Sequence, residues 1–386
     1  MITLASEELC SGCTACKAIC PKQAISMTAD HEGFLRPQVD EQLCIQCHAC
    51  ERACPVLHPG EPDTNPTCYA ARTKDDALRM ASSSGGIFTE LARLVLAEGG
   101  IVFGCVWEKP VLIAIHAKAE TEEELAAMRG SKYVQSDLRD TLKEAKTALQ
   151  QGRKVLFSGT PCQIAGLNAF LGRNYDNLLT VEIICHGTPS PAVFEKYKQE
   201  LARQFSALPV EISFKDKRIS WSQPSFVVQF SNNKQFIIPS YGGPWGQLLL
   251  NGLALRPSCH QCVAKDGRSQ ADITIGDFWG IQSILPKLSD AKGCSVVFLH
   301  TQKALNFWHK LSTIVRSNVA KSDAIAKNPS YYSSSSKSLK RSLFIKNFAV
   351  KRFDVYVQRC IRGPWLIWMM KRCTNKIRRT IVSFLK

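Results

Sequence analysis

The chain is predicted to be a multidomain protein of mixed α+β and α/β class. A small cysteine-bound module comes first, then a mixed α/β body with an antiparallel β insertion, then a basic helical C-terminal tail. Three observations predict this. Eight cysteines fall in two matched runs before residue 55. From residue 101 onward, apolar strand-like runs alternate with helical apolar spacing, the pattern of a parallel sheet flanked by helices. Beyond residue 337 the charge becomes one-sided.

A length of 386 residues leaves room for two or three domains. With 45% hydrophobic and 21% charged residues the chain has a real core and is not disordered. Met1 to Leu9 carries Glu7 and Glu8, with no basic and apolar leader. The 17 cysteines are therefore expected in a reducing compartment, where clustered thiols mean metal, and a cytoplasmic protein is expected. Of the net charge of +16, residues 337–386 supply +13, from 14 Lys/Arg against Asp354 alone.

The first module is residues 1–60. Cys10-Ser11-Gly12-Cys13-Thr14-Ala15-Cys16 continues to Cys20-Pro21, and Cys44-Ile45-Gln46-Cys47-His48-Ala49-Cys50 continues to Cys54-Pro55. Both match the bacterial ferredoxin spacing C-x2-C-x2-C-x3-C-P, in which the fourth cysteine serves the other cluster. One [4Fe-4S] cluster is therefore assigned to Cys10, Cys13, Cys16 and Cys54, and a second to Cys44, Cys47, Cys50 and Cys20. Zinc would be satisfied by two C-x2-C pairs and would leave the repeated fourth cysteine and its proline unexplained. Disulfides fit poorly with cysteines so close in sequence. Between the runs, Ile25 to Val39 reads as a hairpin turning at Asp30-His31-Glu32-Gly33. Pro59, Gly60, Pro62 and Pro66 make a linker.

The body divides into residues 68–150 and 151–320. Cys68 to Ala71 is a short strand, and Ser82-Ser83-Ser84-Gly85-Gly86 reads as a serine cap feeding a helix from Ile87. Ile101 to Trp107 is a strand, Glu122 to Met128 a helix, Gly130 to Ser136 a loop and Asp140 to Gln151 a helix. Lys154 to Phe157 is a strand running into Ser158-Gly159-Thr160-Pro161-Cys162 and a further helix. Leu178 to Ile184 is the next strand, ending at Cys185-His186-Gly187, and Ser190-Pro191 opens a helix to about Phe205. Parallel pairing would put Cys162 and Cys185 at carboxyl ends of strands, the ligand-binding edge of such sheets. Ile212 to Pro239 is the antiparallel insertion. Arg256 to Cys262 is a thiol-bearing loop, and Asp272 to Ile275 and Ser295 to Leu299 are strands.

Residues 333–386 form the basic amphipathic tail, with Ser333 to Ser336 as a hinge. Its longest apolar run, Trp365 to Met370, is far short of the roughly 20 residues needed to span a bilayer. Residues 337–386 could lie on the inner face of a membrane, with Trp365 and Trp368 at headgroup depth. The alternative is a solvated basic helix packed on the body or on a partner. No nucleic-acid motif accompanies the charge, so nucleic acid is not expected.

Cys162, Cys185, Cys259 and Cys262 stand apart from the remaining cysteines, each in a loop context beside Gly, Pro or His or in a C-x2-C pair. Converging, they would hold a third [4Fe-4S] cluster. The alternatives are zinc at Cys259 and Cys262, or small buried residues at Cys162 and Cys185. The Ser82–Gly86 stretch could offer helix N–H groups to a phosphate, or be only a capped helix. Lys132 could meet pyrophosphate charge and Tyr133 could stack on a ring. A flavin would convert single electrons into pairs. His186 and Lys132 are candidates for proton delivery, and a buried structural role is the competing reading for His186.

These motifs form an ordered set: Ser82 to Gly86, Gly130 to Ser136, Gly159-Thr160-Pro161-Cys162-Gln163, Cys185-His186-Gly187, and Cys259-x2-Cys262 through Gly276-Asp277-Phe278-Trp279-Gly280. The set resembles the beta subunit of coenzyme F-420 hydrogenase and dehydrogenase, fused behind a two-cluster ferredoxin, over about residues 1–310. The resemblance implies a flavin-binding body with FAD held by Ser82, Ser83, Ser84, Gly85, Gly86, Lys132, Tyr133, Gly159 and Thr160. It also implies an extra cluster on Cys162, Cys185, Cys259 and Cys262. The activity implied is an iron–sulfur flavoprotein oxidoreductase, passing electrons between [4Fe-4S] clusters and FAD and on to a two-electron carrier or substrate. That carrier could be F-420-like, or the reaction a ferredoxin-dependent reduction. A redox partner protein or a soluble two-electron carrier is implied. The rival expectation is a non-catalytic electron-transfer adaptor, associated with surface-polysaccharide biosynthesis at the membrane.

Overall fold

The computed structural model of the protein describes residues 2–362. Its first module holds α1 (Ala15–Ile19), β1 (Ile25–Ala29), β2 (Leu35–Val39) and α2 (Ala49–Arg52). The sequence repeat is also a backbone repeat. Gly12 and Thr14 in the first run have φ of 70° and 62°, and their counterparts Gln46 and His48 have 53° and 57°. These left-handed residues curl each loop so that one short helix starts just before its third cysteine. β1 and β2 pair antiparallel, Ile25 opposite Val39. The Asp30 carboxylate closes their turn by accepting from the N–H groups of Glu32 and Phe34, both at 2.9 Å.

The body is an eight-stranded mixed sheet. Its elements in chain order are β3 (Thr67–Thr73), α3 (Asp76–Ala81), α4 (Ile87–Ala97), β4 (Ile101–Glu108), β5 (Ile113–Ala119), α5 (Glu122–Met128), α6 (Thr141–Gln150), β6 (Val155–Gly159), α7 (Pro161–Leu171), β7 (Leu178–Ile183) and α8 (Pro191–Phe205). The insertion follows as β8 (Pro209–Asp216), β9 (Ser225–Phe230) and β10 (Gln235–Pro239), then α9 (Pro244–Leu250). The chain returns to the sheet through β11 (Ile273–Asp277), α10 (Ile281–Ile284), β12 (Ser295–Leu299), α11 (Gln302–Lys310), β13 (Ile314–Asn318) and α12 (Lys321–Ile325). Strand order is β13-β3-β12-β11-β7-β6-β4-β5, and the insertion is a separate sheet, β10-β9-β8. β4, β6, β7 and β11 run parallel, because helices return the chain between them, and β5, β12, β3 and β13 are antiparallel to their neighbours. Two of these antiparallel edges, β5 and β13, are short half-exposed strands that the sequence pattern did not separate from loop. At α8 the Ser190 hydroxyl accepts from the Val193 N–H at 3.0 Å with Pro191 in the first turn, so both backbone groups are satisfied locally.

The C-terminal region departs from expectation. Ser333 to Ser336 is not a hinge but a strap. The Ser335 N–H donates to the Cys259 carbonyl at 3.2 Å, and the Cys262 N–H donates to the Ser334 hydroxyl at 2.9 Å. Beyond it, α13 (Arg341–Asn347) and α14 (Phe353–Arg362) lie on the body. Phe344, Phe353, Tyr356 and Val357 join the core formed by α8, α9 and the insertion. Buried Arg341 pairs with buried Glu32 of the first module at 2.6 Å. The basic residues of 341–362 thus decorate packed helices whose apolar faces were already committed, and that part of the expected tail is body. The run Trp365 to Met370 and the rest of the expected tail lie outside the described residues. Among the described residues no helix is long and apolar enough to cross a membrane.

Phe353 is 1% exposed and stacks on Tyr197 at 4.4 Å. Phe353→Ala is expected to lower unfolding free energy by about 3–5 kcal/mol in chemical denaturation, a loss a free tail would not produce.

Candidate functional site

The first module carries two separate thiol-lined cavities. One is walled by Cys10, Cys13, Cys16 and Cys54, closed by Leu4, Met27, Pro37 and Val56. The other is walled by Cys20, Cys44, Cys47 and Cys50, beside Ile2, Ile25 and Ile45. The fourth cysteine of each run thus crosses to the other run's cavity, because the short helix after each loop carries it away. Burial pushes the Cys13 thiol up to about 11 and Cys16 further, with Cys10 and Cys54 adding repulsion. Without a bound cation these thiols would hold their protons, and a metal centre is what makes such a cage stable as thiolates. The Thr14 hydroxyl, buried on the wall of the first cavity, has no hydrogen-bond partner among the described residues. The second cavity lies near the surface. Cys47 is exposed, and Leu43, Ile45 and Leu57 nearby are 53%, 57% and 40% exposed.

A third cysteine group assembles in the body. Cys162 is the second residue of α7, Cys185 follows β7, Cys259 sits within the short 3-10 turn Pro257–Gln261, and Cys262 caps its end. Burial raises the Cys162 thiol well above the ordinary range, and Cys262, Cys185 and Cys259 each raise it further. Cys185 is pushed up to about 12 by burial, with Cys259 and Cys262 repelling it and Lys265 opposing the shift. Each of the four therefore lies near enough to another to act on it electrostatically. Thr160 Oγ1 lies 3.3 Å from Cys162 Sγ, and the Thr188 N–H donates to Cys259 Sγ at 3.4 Å. Among the described residues no three His, Cys, Asp or Glu close on a point that would hold a single metal ion. The two cysteine groups of the first module each surround a space, whereas tetrahedral zinc with bonds of about 2.3 Å draws its thiolates onto one point.

A cleft of about 1490 Å³, counting its open mouth, follows the carboxyl edge of β6, β7 and β11. Ser82, Ser83, Ser84, Gly86, Lys132, Tyr133, Gly159, Thr160, Cys185 and His186 all line it. Gly85 does not. It lies behind, donating to the Ser295 hydroxyl at 2.9 Å, where a Cβ would meet the Ala71 carbonyl at 2.4 Å. The serines do not cap α4, because each hydroxyl already has a partner. Ser82 donates to the Leu78 carbonyl and Ser84 to the Cys294 carbonyl, while Ser83 accepts from the Ser131 N–H and hydroxyl. The N-cap is Gly86, at φ 85°, with no side-chain cap. The first turn of this 11-residue helix therefore opens on the cleft with its amide donors unclaimed by side chains. Lys132 is also committed. Its ammonium donates to the Met128, Arg129 and Gly130 carbonyls, so it shapes the loop. The loop's other cation, Arg129, also lines the cleft; it donates to Thr89 Oγ1 at 3.4 Å and pairs with Glu122.

Family models match the chain at three places. They are the coenzyme F420 hydrogenase/dehydrogenase beta subunit N-terminus over residues 68–143, its C-terminus over 152–323, and a 4Fe-4S dicluster domain over 9–57. The chain belongs to the coenzyme F420 hydrogenase/dehydrogenase beta-subunit family. It is an iron–sulfur protein of that redox family, with the dicluster domain ahead of the beta-subunit region. No curated protein matches it. A chain of the F420-reducing [NiFe] hydrogenase complex from Methanosarcina barkeri, solved with xenon, is 21% identical, over 75% of this chain and 91% of its own, at a TM-score of 0.47. That likeness is too slight to carry an argument.

The floor of the cleft in this beta-subunit-family chain is a polar relay that sequence reading missed. His116 Nε2 donates to the Ser158 carbonyl at 2.9 Å, so its Nδ1 accepts from Ser136 Oγ at 3.1 Å. Ser136 in turn accepts from the Gln163 amide at 3.0 Å, and Gln163 Oε1 accepts from the Thr160 N–H at 2.9 Å. Gln163 and Ser136 stand inside motifs that the sequence displays. His116 stands on β5, and only the alternation Ile113-Ala114-Ile115-His116 pointed to it. His186 is half-buried and its Nδ1 meets Ser330 Oγ at 3.3 Å.

Burial depresses the His116 pKa to about 4. Between that value and the unfolded value near 6.5, the unfolded chain binds a proton that the native chain refuses. Stability is therefore full above about pH 6.5 and falls by roughly 3 kcal/mol as pH drops toward 4. Unfolding measured across that window is expected to show this slope in the wild type and to lack it in His116→Gln.

Proposed function

We propose that this chain is an iron–sulfur flavoprotein oxidoreductase, passing electrons between [4Fe-4S] clusters and FAD and on to a two-electron carrier or substrate. The observation that carries it is contiguity. The Cys20/Cys44/Cys47/Cys50 group reaches the surface, and the Cys10/Cys13/Cys16/Cys54 group lies inside it. The Cys162/Cys185/Cys259/Cys262 group comes next, and its Cys185 lines the cleft. Clusters supply single-electron exchange at such sites, and FAD when bound supplies the conversion to electron pairs.

The residues present suit these groups. The two groups of the first module each offer four sulfurs around a space, the body group offers four mutually repelling thiols, and at the first the Thr14 hydroxyl is unpartnered among the described residues. The cleft is bordered by the start of α4, the 130–136 loop and the ends of β6, β7 and β11, so a bound ligand can be gripped along several elements, as a dinucleotide needs. The start of α4 and Arg129 bring positive potential to one end of it, where an anionic phosphate would bind. Tyr133 and Phe88 supply ring and apolar wall, and His116, kept neutral, holds its proton on Nε2 against Ser158. Electron entry is proposed at Cys47, where exposed Leu43, Ile45 and Leu57 offer an apolar rim to a redox partner protein.

Anaerobic purification tests the reading. About twelve iron and one FAD per chain are expected, with the yellow colour bleached by dithionite. Iron near eight would remove the body cluster. Clusters without flavin would leave a one-electron carrier. Arg129→Ala is expected to raise the FAD dissociation constant by roughly tenfold or more, measured by flavin fluorescence, with iron content unchanged.

A further inference from the structure

Several buried cations in this protein face a carboxylate: Arg341 has Glu32, Lys215 has Asp277, and Arg79 has Asp290. Among the described residues Lys217, Lys265 and Arg256 do not, and the two lysines donate only to backbone carbonyls. Of these three, Arg256 is the guanidinium, which keeps its charge wherever it is buried. It is 1% exposed, and among the described residues it has no carboxylate partner. Its guanidinium donates to the Cys10 carbonyl, the Leu35 carbonyl and Gln135 Oε1, each at 2.8 Å, and stacks on Phe34 at 5.2 Å. All of these partners are neutral. The anionic groups within its reach are sulfurs. Cys10 Sγ is 3.9 Å from Nη2, and Cys162 and Cys259 act on it electrostatically as well.

The backbone explains how one side chain comes to face two cysteine groups. The Arg256 carbonyl accepts from the Cys259 N–H at 2.9 Å, so its main chain belongs to the body's thiol loop. Its side chain reaches into the first module instead. Gly12, between Cys10 and Cys13, leaves room for it, since a Cβ there would sit 2.6 Å from Nη1. Gln135 completes the frame by donating to the Ser11 carbonyl at 3.0 Å. Arg36 also reaches the Cys10 carbonyl, at 3.2 Å, but its charge is answered by Asp30 at 3.0 Å. A buried lysine can give up its proton, but a buried guanidinium keeps its charge, and an anion beside it offsets the cost of leaving it without a counter-ion.

We propose that Arg256 is a positioning residue that serves as the shared buried counter-charge of two clusters: that on Cys10, Cys13, Cys16 and Cys54, and that on Cys162, Cys185, Cys259 and Cys262. The inference rests on the cluster reading of those cysteines. A fixed positive charge favours the more negative, reduced state of whatever it faces, so Arg256 raises both potentials and leaves the surface site on Cys20, Cys44, Cys47 and Cys50 alone.

The test is a redox titration of the full chain, prepared without oxygen and followed by electron paramagnetic resonance, with iron and sulfide assayed on each sample. In Arg256→Gln the reduced-to-oxidised ratio at a fixed solution potential is expected to fall about tenfold or more at the two inner clusters, and to hold at the surface one. Arg256→Lys, which keeps the charge, is expected to restore most of the ratio. A fully loaded Arg256→Gln protein with unchanged ratios overturns the proposal, as does an equal shift at all three sites. Should Arg256→Gln lose iron, loss confined to the inner sites with a loaded Lys variant supports it, and the same loss in the Lys variant overturns it. A wild-type chain without iron overturns the cluster reading itself, which the same assay distinguishes.

Discussion

The contact between Cys13 and Gly166 is the constraint on which the arrangement depends. A Cβ at Gly166 would lie 2.6 Å from the Cys13 Cβ and 2.9 Å from its sulfur, so α1 can meet α7 only where α7 has no side chain. That contact sets the first cysteine cage against the helix whose second residue is Cys162. Everything beyond follows from the sheet. α7 starts where β6 ends, Cys185 follows the next strand over, and the loop bearing Cys259 and Cys262 is drawn in from far along the chain. Close approach of backbones, permitted by one missing methyl, turns two separately folded sulfur groups into neighbours.

The second theme is where charge and polarity are buried. Arg341 of α13 reaches Glu32 in the hairpin turn, and Ser334 and Ser335 bind the Cys259–Cys262 loop. The chain's C-terminal region thereby clamps the first module and the body's cysteine group from one side. On the other side the cleft is lined by groups already satisfied within the protein. The serines, Lys132 and the His116–Ser136–Gln163 relay all spend their hydrogen bonds on the fold, which leaves the amides at the start of α4 facing open space, with the Glu122-paired Arg129 beside them. A site whose polar walls are preorganised in this way loses little entropy when it is filled.

Much of this was legible from residue order alone. The spacing in each cysteine run belongs to a local loop, and local geometry is what spacing encodes. The alternation of strand and helix between Ile101 and Phe205 marked the parallel strands, and Ser190-Pro191 marked a helix start, for the same reason. The serine stretch misled because a serine before a helix looks alike whether its hydroxyl caps the helix or bonds to Leu78, Cys294 or Ser131, and the last two partners are distant in the chain. The basic tail misled because charge density says which face is wet, not what the opposite face touches.

The sequence by itself determined the cysteine repeat, the helix and strand periods of the parallel core and the loops that end them, since each depends on residues within a few positions of one another. Only the tertiary structure decided that helices beyond Ser336 are body, that Lys132 is spent on its own loop, that His116 belongs to the cleft, and that Arg256 stands between two sulfur groups. The Lys132 bonds reach back only to residues 128–130 but exist only in the folded loop, and the other three facts are pairings across tens to hundreds of residues. Burial makes such pairings strong by excluding water, and nothing in the local order of a chain records which distant atoms will replace it.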